Sequence, residues 1–228
     1  MLRNPDESAL TKYLEKTYAE SIPERETNDD YKVIPSRSLR HRYLGNARSN
    51  LMTLEVGLGD WGMACFKDEH LSEVIQPSLL RAPEVILEAP WSTSVDIWNL
   101  GALLPELMFG QNMFSGRDSG QYTVQGHLAE MNALLGPFPE SLLSKAKLKG
   151  ARDTFDEHGN VRKYRLSKVT PLKKRFKELP DGEAFQFEDF IRRLLDLDPQ
   201  RRKSAAEMLE HPWLYHEYTE NISVEKVS

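Results

Sequence analysis

The chain has 228 residues, a formal net charge of −5 and 39% hydrophobic residues, which suits one domain or two small ones. Its mild acidity argues against direct nucleic-acid binding, and the absence of an apolar run of about 18 residues argues against a membrane span. The single cysteine, Cys65, excludes an intrachain disulfide framework. Because a signal-peptide pattern is also lacking, we expect an intracellular protein of the cytoplasm or nucleus.

The N-terminal residues 1–50 are predicted to form one helix followed by a polar loop. Leu10, Leu14 and Tyr18 recur at helical spacing and predict a helix over residues 6–20. A short strand is predicted near residues 31–34, and a second strand over residues 51–58 leads into Asp60.

Two short motifs stand at the centre of the chain. Asp60 is followed by Trp61, which we expect to be buried, and by Gly62, which is free to adopt a positive φ. Glu84 follows Pro83 and precedes an apolar run. A glutamate in that setting is predicted to be partly buried and to need a cationic partner.

The segment from Asp96 to Phe109 is apolar on nearly all faces, which predicts the most buried helix of the chain. Trp98, Leu103 and Leu107 are expected inside it. Pro105 predicts a kink or an early break, since interior proline removes a hydrogen bond and clashes with the preceding turn. Asp96 suits the helix N-terminus through the helix dipole.

The last third of the chain is predicted to be helical, with one irregular interruption. The expected features are an amphipathic helix over residues 128–135 ended by Gly136, an irregular insertion over 150–170 with a turn at 156–160, a helix through 187–195, and a capping box from Ser204 to Glu207. His211 and His216 do not form a metal-ligand set.

The order and spacing of these motifs resemble the protein-kinase signature. In that family an Asp-Phe-Gly-type turn holds Mg²⁺, and an Ala-Pro-Glu sequence, here ending at Glu84, closes the activation segment. The sequence Asp-Pro-Gln-Arg-Arg-Lys-Ser-Ala near the C-terminus is similar to the family's Asp-Pro-x-x-Arg pattern. The resemblance implies that Arg202 is the cationic partner of Glu84, and that Asp96 holds the catalytic loop.

The closer resemblance is to SR-protein kinases, especially divergent fungal ones. Residues 60–65, Asp-Trp-Gly-Met-Ala-Cys, are similar to their Asp-Leu-Gly-Asn-Ala-Cys. The resemblance implies a mainly α fold, a kinase C-terminal lobe with few short strands, and no N-lobe or catalytic loop. The C-lobe would span 51–215, preceded by the helix and loop of 1–50 and followed by a frayed tail, 216–228.

The resemblance also implies a function. Such kinases phosphorylate serines in Arg-Ser-rich proteins with ATP and Mg²⁺, and Asp60 would be the metal and cofactor ligand. The expected partner is a protein substrate, and the oligomeric state stays open. Leu80 and Pro77 depart from the family, since they replace its usual tyrosine and threonine in the substrate-binding segment.

Other departures concern catalysis. The chain shows no Gly-rich ATP loop, no ATP-binding lysine and no His-Arg-Asp loop; His41-Arg42-Tyr43 is the nearest sequence, with Arg48 in place of the usual asparagine. Either this is a degenerate catalytic loop, or the loop preceded Met1 and residues 6–50 are an insertion, which we favour. We therefore expect weak or no binding of ATP and an inactive chain. The alternative is a pseudokinase or regulatory C-lobe that acts as a protein-binding module.

Overall fold

The computed structural model describes residues 55–118, 121–162, 164 and 169–215, with positions 2, 3, 11, 15, 25, 26, 32 and 33. The chain divides into two compact units, Met1–Ala64 and Cys65–Ser228. Helices dominate the described residues and the strands are only two residues long. The predicted mainly α fold with few short strands is confirmed.

The first unit contains two antiparallel strand pairs. Strand β1 (Leu2–Arg3) pairs with β4 (Glu55–Val56), and β2 (Arg25–Glu26) pairs with β3 (Lys32–Val33). Strand formation is thus confirmed at 32–33 and 55–56. Thr11 and Glu15 are helical, and the remainder of the predicted helix over 6–20 lies outside the described residues.

The second unit is built from short and medium helices. They are α1 (Pro83–Ile86), α2 (Ser94–Phe109), α3 (Val124–Leu135), α4 (Glu140–Leu143), α5 (Ala151–Thr154), α6 (Leu172–Arg175), α7 (Asp181–Leu194) and α8 (Ala205–Leu209). A hairpin of β5 (Arg117–Asp118) and β6 (Gln121–Tyr122) lies between α2 and α3. Single 3-10 turns occur at Ser78–Leu80 and Pro212–Tyr215.

Helix α2 corrects two predictions. It continues through Pro105 to Phe109, so the early break, one of the two expected effects of the proline, does not occur, and the kink stays a prediction. It is also not the most buried helix: Trp98 is fully buried, but Leu107 is 69% exposed. The reason is that α2 packs closely on one side only. A Cβ on Gly101 would lie 2.8 Å from the Cβ of Leu194, so the absence of a side chain allows α2 and α7 this close approach.

Helix α3 is buried over a longer stretch, from Gly126 to Met131. It ends at Leu135, and Gly136 follows with a φ of 101°, as the Gly-Pro sequence predicts. Helix α7 and the capping box of α8 are confirmed: the Ser204 side chain accepts from the Glu207 N–H, and the Glu207 carboxylate accepts from the Ser204 N–H.

An aromatic cluster joins the helices that close the second unit. The ring of Phe187 lies 4.7 Å from Phe176, 4.8 Å from Trp213 and 5.7 Å from Phe109, measured between ring centroids. Phe109 and Phe187 belong to α2 and α7, Phe176 directly follows α6, and Trp213 lies in the last 3-10 turn. The cluster therefore fixes the C-terminal helices against α2.

The described part of the insertion at 150–170, residues 150–162, is less irregular than predicted. It begins with α5, and Phe155 and Val161 form an antiparallel bridge around the turn that the sequence predicts. The Asp156 carboxylate accepts from the backbone N–H groups of His158 and Asn160, and Gly159 has a φ of 80°. These bonds order the turn that the sequence predicts.

Candidate functional site

The predicted metal ligand Asp60 precedes a 3-10 turn, Trp61–Met63. Its backbone is left-handed, with φ 64° and ψ 58°. A non-glycine residue in this region is uncommon and is most often Asn or Asp, whose short polar side chains tolerate it. Gly62 does not have a positive φ, so the prediction that Gly62 takes that conformation is wrong: the strained position is Asp60 itself.

The prediction that Trp61 is buried is also wrong. Its side chain is 65% exposed, and Met63 in the same turn is 70% exposed. A single 3-10 turn has no second face on which to build a core, so burial of an indole there depends on other elements. Sequence reasoning weighed only the apolar character of the side chain.

The carboxylate of Asp60 makes no capping hydrogen bond with the turn that follows it. Among the residues that the structure describes, no three His, Cys, Asp or Glu side chains come together as a group that could hold a metal. Mg²⁺ in phosphate-transfer sites is held by one or two carboxylates and completed by water and substrate phosphates. Asp60 could supply one such ligand, and its assignment stays a prediction.

Glu84 and Arg202 form the ion pair predicted from the sequence. Arg202 Nη1 donates to Glu84 Oε1 at 2.7 Å, and Nη2 donates to Oε2 at 2.9 Å. Both side chains are 0% exposed, and the two residues are 118 positions apart. Such a two-point contact between arginine and a carboxylate is stronger and more directional than a single hydrogen bond.

Two further donors of Arg202 bond backbone carbonyls. Nη1 donates to the carbonyl of Ser94 at 2.9 Å, and Nε donates to the carbonyl of Asp196 at 3.1 Å. The guanidinium carbon lies 5.1 Å from the centroid of the Trp98 ring, within the range of a cation–π contact. One buried cation therefore connects α1, the start of α2 and the loop after α7.

Asp96 was predicted to lie at a helix end and to hold the catalytic loop. Its carboxylate accepts no hydrogen bond within the described part of the chain, and partial burial raises its pKa. Asp96 stands in the first turn of α2, so its position at the helix end is confirmed. The predicted contact with a catalytic loop stays untested, because residues 41–48 lie outside the described residues.

The two histidines near the C-terminus were not expected to bind a metal. His216 lies outside the described residues, whereas His211 is buried and forms a hydrogen bond with Asp189 at 2.9 Å.

The segment before Glu84 is held in a fixed shape by its own side chains. Gln76 has a positive φ of 68°. Its side-chain amide donates to the carbonyl of Val95 and accepts from the N–H of Ala82, both at 2.8 Å. Arg81 donates to the carbonyls of Ile75 and Gln76 at 3.1 Å. Glutamine is not a residue type that turns favour at a positive φ. We therefore interpret this strained backbone as a sign that the shape of the segment is maintained for binding.

A cavity of about 280 Å³ opens between this segment and α2, close to the lower end of ligand-site volumes. Its lining residues are Pro77, Ser78, Leu79, Leu80, Ala102, Glu106, Asn112, Met113 and Phe114. Met113 and Phe114 are 1% exposed and form an apolar wall. Glu106 is exposed and has no ion-pair partner in the described part of the chain. The cavity thus combines apolar surface with one available carboxylate.

His127 supports this wall from the interior. Its ring is fully buried and lies 5.1 Å from Phe114 between centroids. Burial lowers the His127 pKa to about 4, partly opposed by Glu130, whose negative charge raises it. Glu130 in turn accepts from the N–H groups of Ser115 and Gly116 at 2.7 Å. His127 is therefore neutral near pH 7 and adds no positive charge that would compete for Glu106.

Sequence reasoning did not find this cavity. The available sign of the cavity in the sequence was Glu106, a charged residue in a largely apolar helix. A single charged residue does not show which surface it faces. Across the described residues, no helix is both long and apolar enough to cross a membrane.

Comparison with known proteins identifies a family. The protein kinase domain family matches residues 38–214. The chain is 36% identical over 174 residues to serine/threonine-protein kinase SKY1 of Saccharomyces cerevisiae, covering 74% of this chain and 23% of that protein. It is 34% identical over 167 residues to dual specificity protein kinase CLK4 of Mus musculus, covering 72% of this chain and 34% of that protein.

A serine/threonine protein kinase of Aspergillus fumigatus is 34% identical over 210 residues, which covers 92% of this chain and 51% of the relative. The chain therefore spans about a quarter to a half of the length of the curated relatives that it matches. The family match includes both members of the buried Glu84–Arg202 pair. The chain belongs to the protein kinase domain family and, within it, to the SR-protein-kinase and CLK-like type.

Proposed function

We propose that this chain is the C-terminal lobe of a serine/threonine protein kinase whose complete protein uses ATP and Mg²⁺ to phosphorylate protein serines. The observation that carries the proposal is the buried two-point contact between Glu84 and Arg202. It joins the end of the predicted activation segment to the C-terminal helices in the register that the family resemblance requires. Kinases of this family normally use ATP and Mg²⁺, and protein substrates follow from the same membership.

We further propose that the 228-residue chain does not transfer phosphate by itself. Phosphoryl transfer needs a loop over the phosphates, a lysine that binds them, a base for the substrate hydroxyl and metal-holding side chains. Asp60 is the member of this set that we can assign. A single exposed carboxylate should bind Mg²⁺ weakly, because the ion retains most of its water and relies on substrate phosphates.

Two observations bear on the position of the catalytic loop. The pairing of β1 with β4 supports an insertion of residues 6–50 between two neighbouring strands. The family match, in contrast, begins at residue 38 and so includes residues 41–48. This supports the alternative that residues 41–48 are a degenerate catalytic loop. We favour the insertion, because the strand pairing joins Leu2 directly to Val56 beside the Asp60 turn.

The purified chain is expected to transfer no phosphate from ATP to an Arg-Ser peptide in the presence of Mg²⁺. The reason is the missing base and phosphate-binding groups described above. A radiolabelled-phosphate assay beside an Asp60→Ala variant checks this expectation. Incorporation above background that disappears in the variant would contradict it and would identify residues 41–48 as the first place to search for a catalytic loop.

We infer from the cavity between Pro77 and Phe114 that the bound protein segment carries arginine, as in Arg-Ser-rich proteins. The apolar wall suits the aliphatic stem of a long side chain, and the unpaired carboxylate of Glu106 suits its guanidinium head. The same observation supports the second candidate function, a pseudokinase or regulatory lobe that binds a protein partner without phosphate transfer.

Replacing Glu106 by Gln should weaken binding of an Arg-Ser peptide about two- to fivefold, because one largely solvent-exposed charge pair is lost. Titration calorimetry with an Arg-Ser peptide and its Gln-Ser counterpart measures this loss. Glu210→Gln, which removes an equal charge from an exposed position at the end of α8, is the matched control. Equal affinity for both peptides, or an equal loss in both variants, would exclude Glu106 as the arginine site.

A further inference from the structure

The cavity wall formed by residues 77–80 is held at its base by one side chain. Gln76 directly precedes this wall, and its Oε1 accepts from the N–H of Ala82, two residues after the wall, at 2.8 Å. Its Nε2 donates to the carbonyl of Val95 in the first turn of α2, also at 2.8 Å. One amide therefore closes the loop of residues 76–82 and attaches that loop to α2.

Both partners of this amide are buried. Ala82 is 0% exposed and Val95 is 3% exposed, so loss of the amide would leave the N–H of Ala82 buried without this acceptor. The backbone of Gln76 is left-handed, with a φ of 68°. A residue other than glycine retains such a conformation only where the surrounding contacts impose it. The two hydrogen bonds of the side chain supply contacts of this kind.

The wall and α2 carry the two parts of the arginine site proposed above. Residues 77–80 line one side of the cavity, and Glu106 lines it from α2. Gln76 is not itself a lining residue. It reaches α2 at Val95, about 16 Å along the helix from Glu106. Its influence on a bound peptide is therefore indirect and acts through the position of the wall.

The position of the wall matters for the choice between arginine and lysine. A guanidinium is planar and donates to a carboxylate through two parallel bonds, which requires it to approach Glu106 in one orientation. An ammonium group is a compact charge on a flexible stem and tolerates many approaches. A wall held at a fixed distance from α2 therefore favours arginine, whereas a wall that is free to move would accept both cations alike.

We propose that Gln76 is a positioning residue that sets the width of this cavity and, with it, a preference for arginine over lysine in the bound protein segment. The proposal rests on the proposed function of the cavity and adds the residue that determines its selectivity. The two hydrogen bonds require one donor and one acceptor at the end of a side chain of this length. Methionine is similar in length but has neither group, and an ionised glutamate lacks the donor for Val95.

The first test measures the affinities of an Arg-Ser peptide and a Lys-Ser peptide of equal length for the full chain by titration calorimetry. Gln76→Met should weaken binding of the Arg-Ser peptide about two- to fivefold and leave the Lys-Ser peptide nearly unchanged, because the two-point contact with Glu106 is lost. Adding Glu106→Gln to Gln76→Met should then cause no further loss, since two residues that act on one contact are not additive.

The second test separates positioning from general damage to the fold. At about pH 7.5, Gln76→Glu should bind the Arg-Ser peptide as weakly as Gln76→Met, because a carboxylate cannot donate to the carbonyl of Val95. At about pH 5.5, the introduced carboxyl is favoured in its protonated form by partial burial and by the neighbouring carbonyl oxygen, and it regains a donor. The affinity should then return to within about twofold of the wild-type chain at the same pH.

Two comparisons control this pH change. The wild-type chain at each pH corrects for the other titrating groups, and His127 behind the wall stays neutral at both values because its pKa is lowered to about 4. Gln200→Glu adds the same charge at an exposed position and should follow the wild-type chain. Urea unfolding shows that each variant is folded before its binding is measured, and Gln76→Glu decides the test if Gln76→Met does not fold.

The proposal is supported if Gln76→Met loses the preference for arginine and Gln76→Glu regains it at the lower pH. It is overturned if the Gln76 variants keep the wild-type preference, if both peptides lose affinity equally, or if the lower pH restores nothing. Absence of Arg-Ser binding to the wild-type chain would overturn the proposed function of the cavity together with this inference. Unchanged binding in the Gln76 variants would overturn the inference alone.

Discussion

Replacing Arg202 by alanine should lower the free energy of unfolding of the second unit by about 3–5 kcal/mol. The substitution leaves the Glu84 carboxylate buried at 0% exposure without its cation. It also leaves the carbonyls of Ser94 and Asp196 without the donors that Arg202 supplies. An uncompensated buried charge is far more costly than the net stabilisation from an intact pair, so the effect should exceed that of an ordinary surface substitution.

Urea unfolding followed by tryptophan fluorescence measures this loss, and the neighbouring residue provides a control. Arg201 is exposed and lies 3.6 Å from Asp196, so Arg201→Ala should cost no more than about 1 kcal/mol. A double variant, Glu84→Met/Arg202→Met, should recover part of the loss, because it removes both charges together. A loss at Arg202→Ala no larger than at Arg201→Ala would mean that the pair is not buried in solution.

Replacing Phe187 by alanine should destabilise the same unit by about 3–5 kcal/mol. Phe187 is fully buried, and its ring contacts those of Phe109, Phe176 and Trp213. Truncation removes the apolar contacts and leaves a cavity between α2, α6, α7 and the last 3-10 turn. These elements cannot all move inward together, so the cavity should persist.

The matched control lies two residues earlier on the same helix. Phe185 is 74% exposed, and Phe185→Ala should change stability by no more than about 0.5 kcal/mol. The measurement is the shift of the urea midpoint at unchanged slope, since an altered slope would indicate a changed denatured state. Similar losses in both variants would show that α7 presents a different face to the core.

The stability of Glu84 and Arg202 has a functional meaning in the proposed kinase. The pair fixes the end of the segment that contains Gln76 and Arg81, and that segment forms one side of the cavity. Loss of the pair should therefore reduce peptide binding as well as stability. Stability and peptide binding would then both depend on the contact between Glu84 and Arg202.

Local signals made several elements predictable. Helix α7 follows from the apolar spacing around Phe187, and the α8 capping box follows from Ser204 and Glu207, because both depend on residues within a few positions of one another. The Glu84–Arg202 pair is different, since 118 positions separate its members. It was predictable because a buried carboxylate needs a cation and the family resemblance indicated which one.

The residue types and their order thus determined the helices through periodicity and the need of Glu84 for a cation through charge compensation, whereas the kinase C-lobe fold, the family and the choice of Arg202 followed from the resemblance of the motifs. Tertiary structure alone decided exposure. Trp61 and Leu107 are as apolar as Trp98, yet the first two are exposed and Trp98 is fully buried. The cavity with Glu106 was likewise decided by the distance between α2 and a segment about 25 residues earlier. Burial and concavity depend on which surfaces meet, and hydrophobicity along the chain does not contain that information.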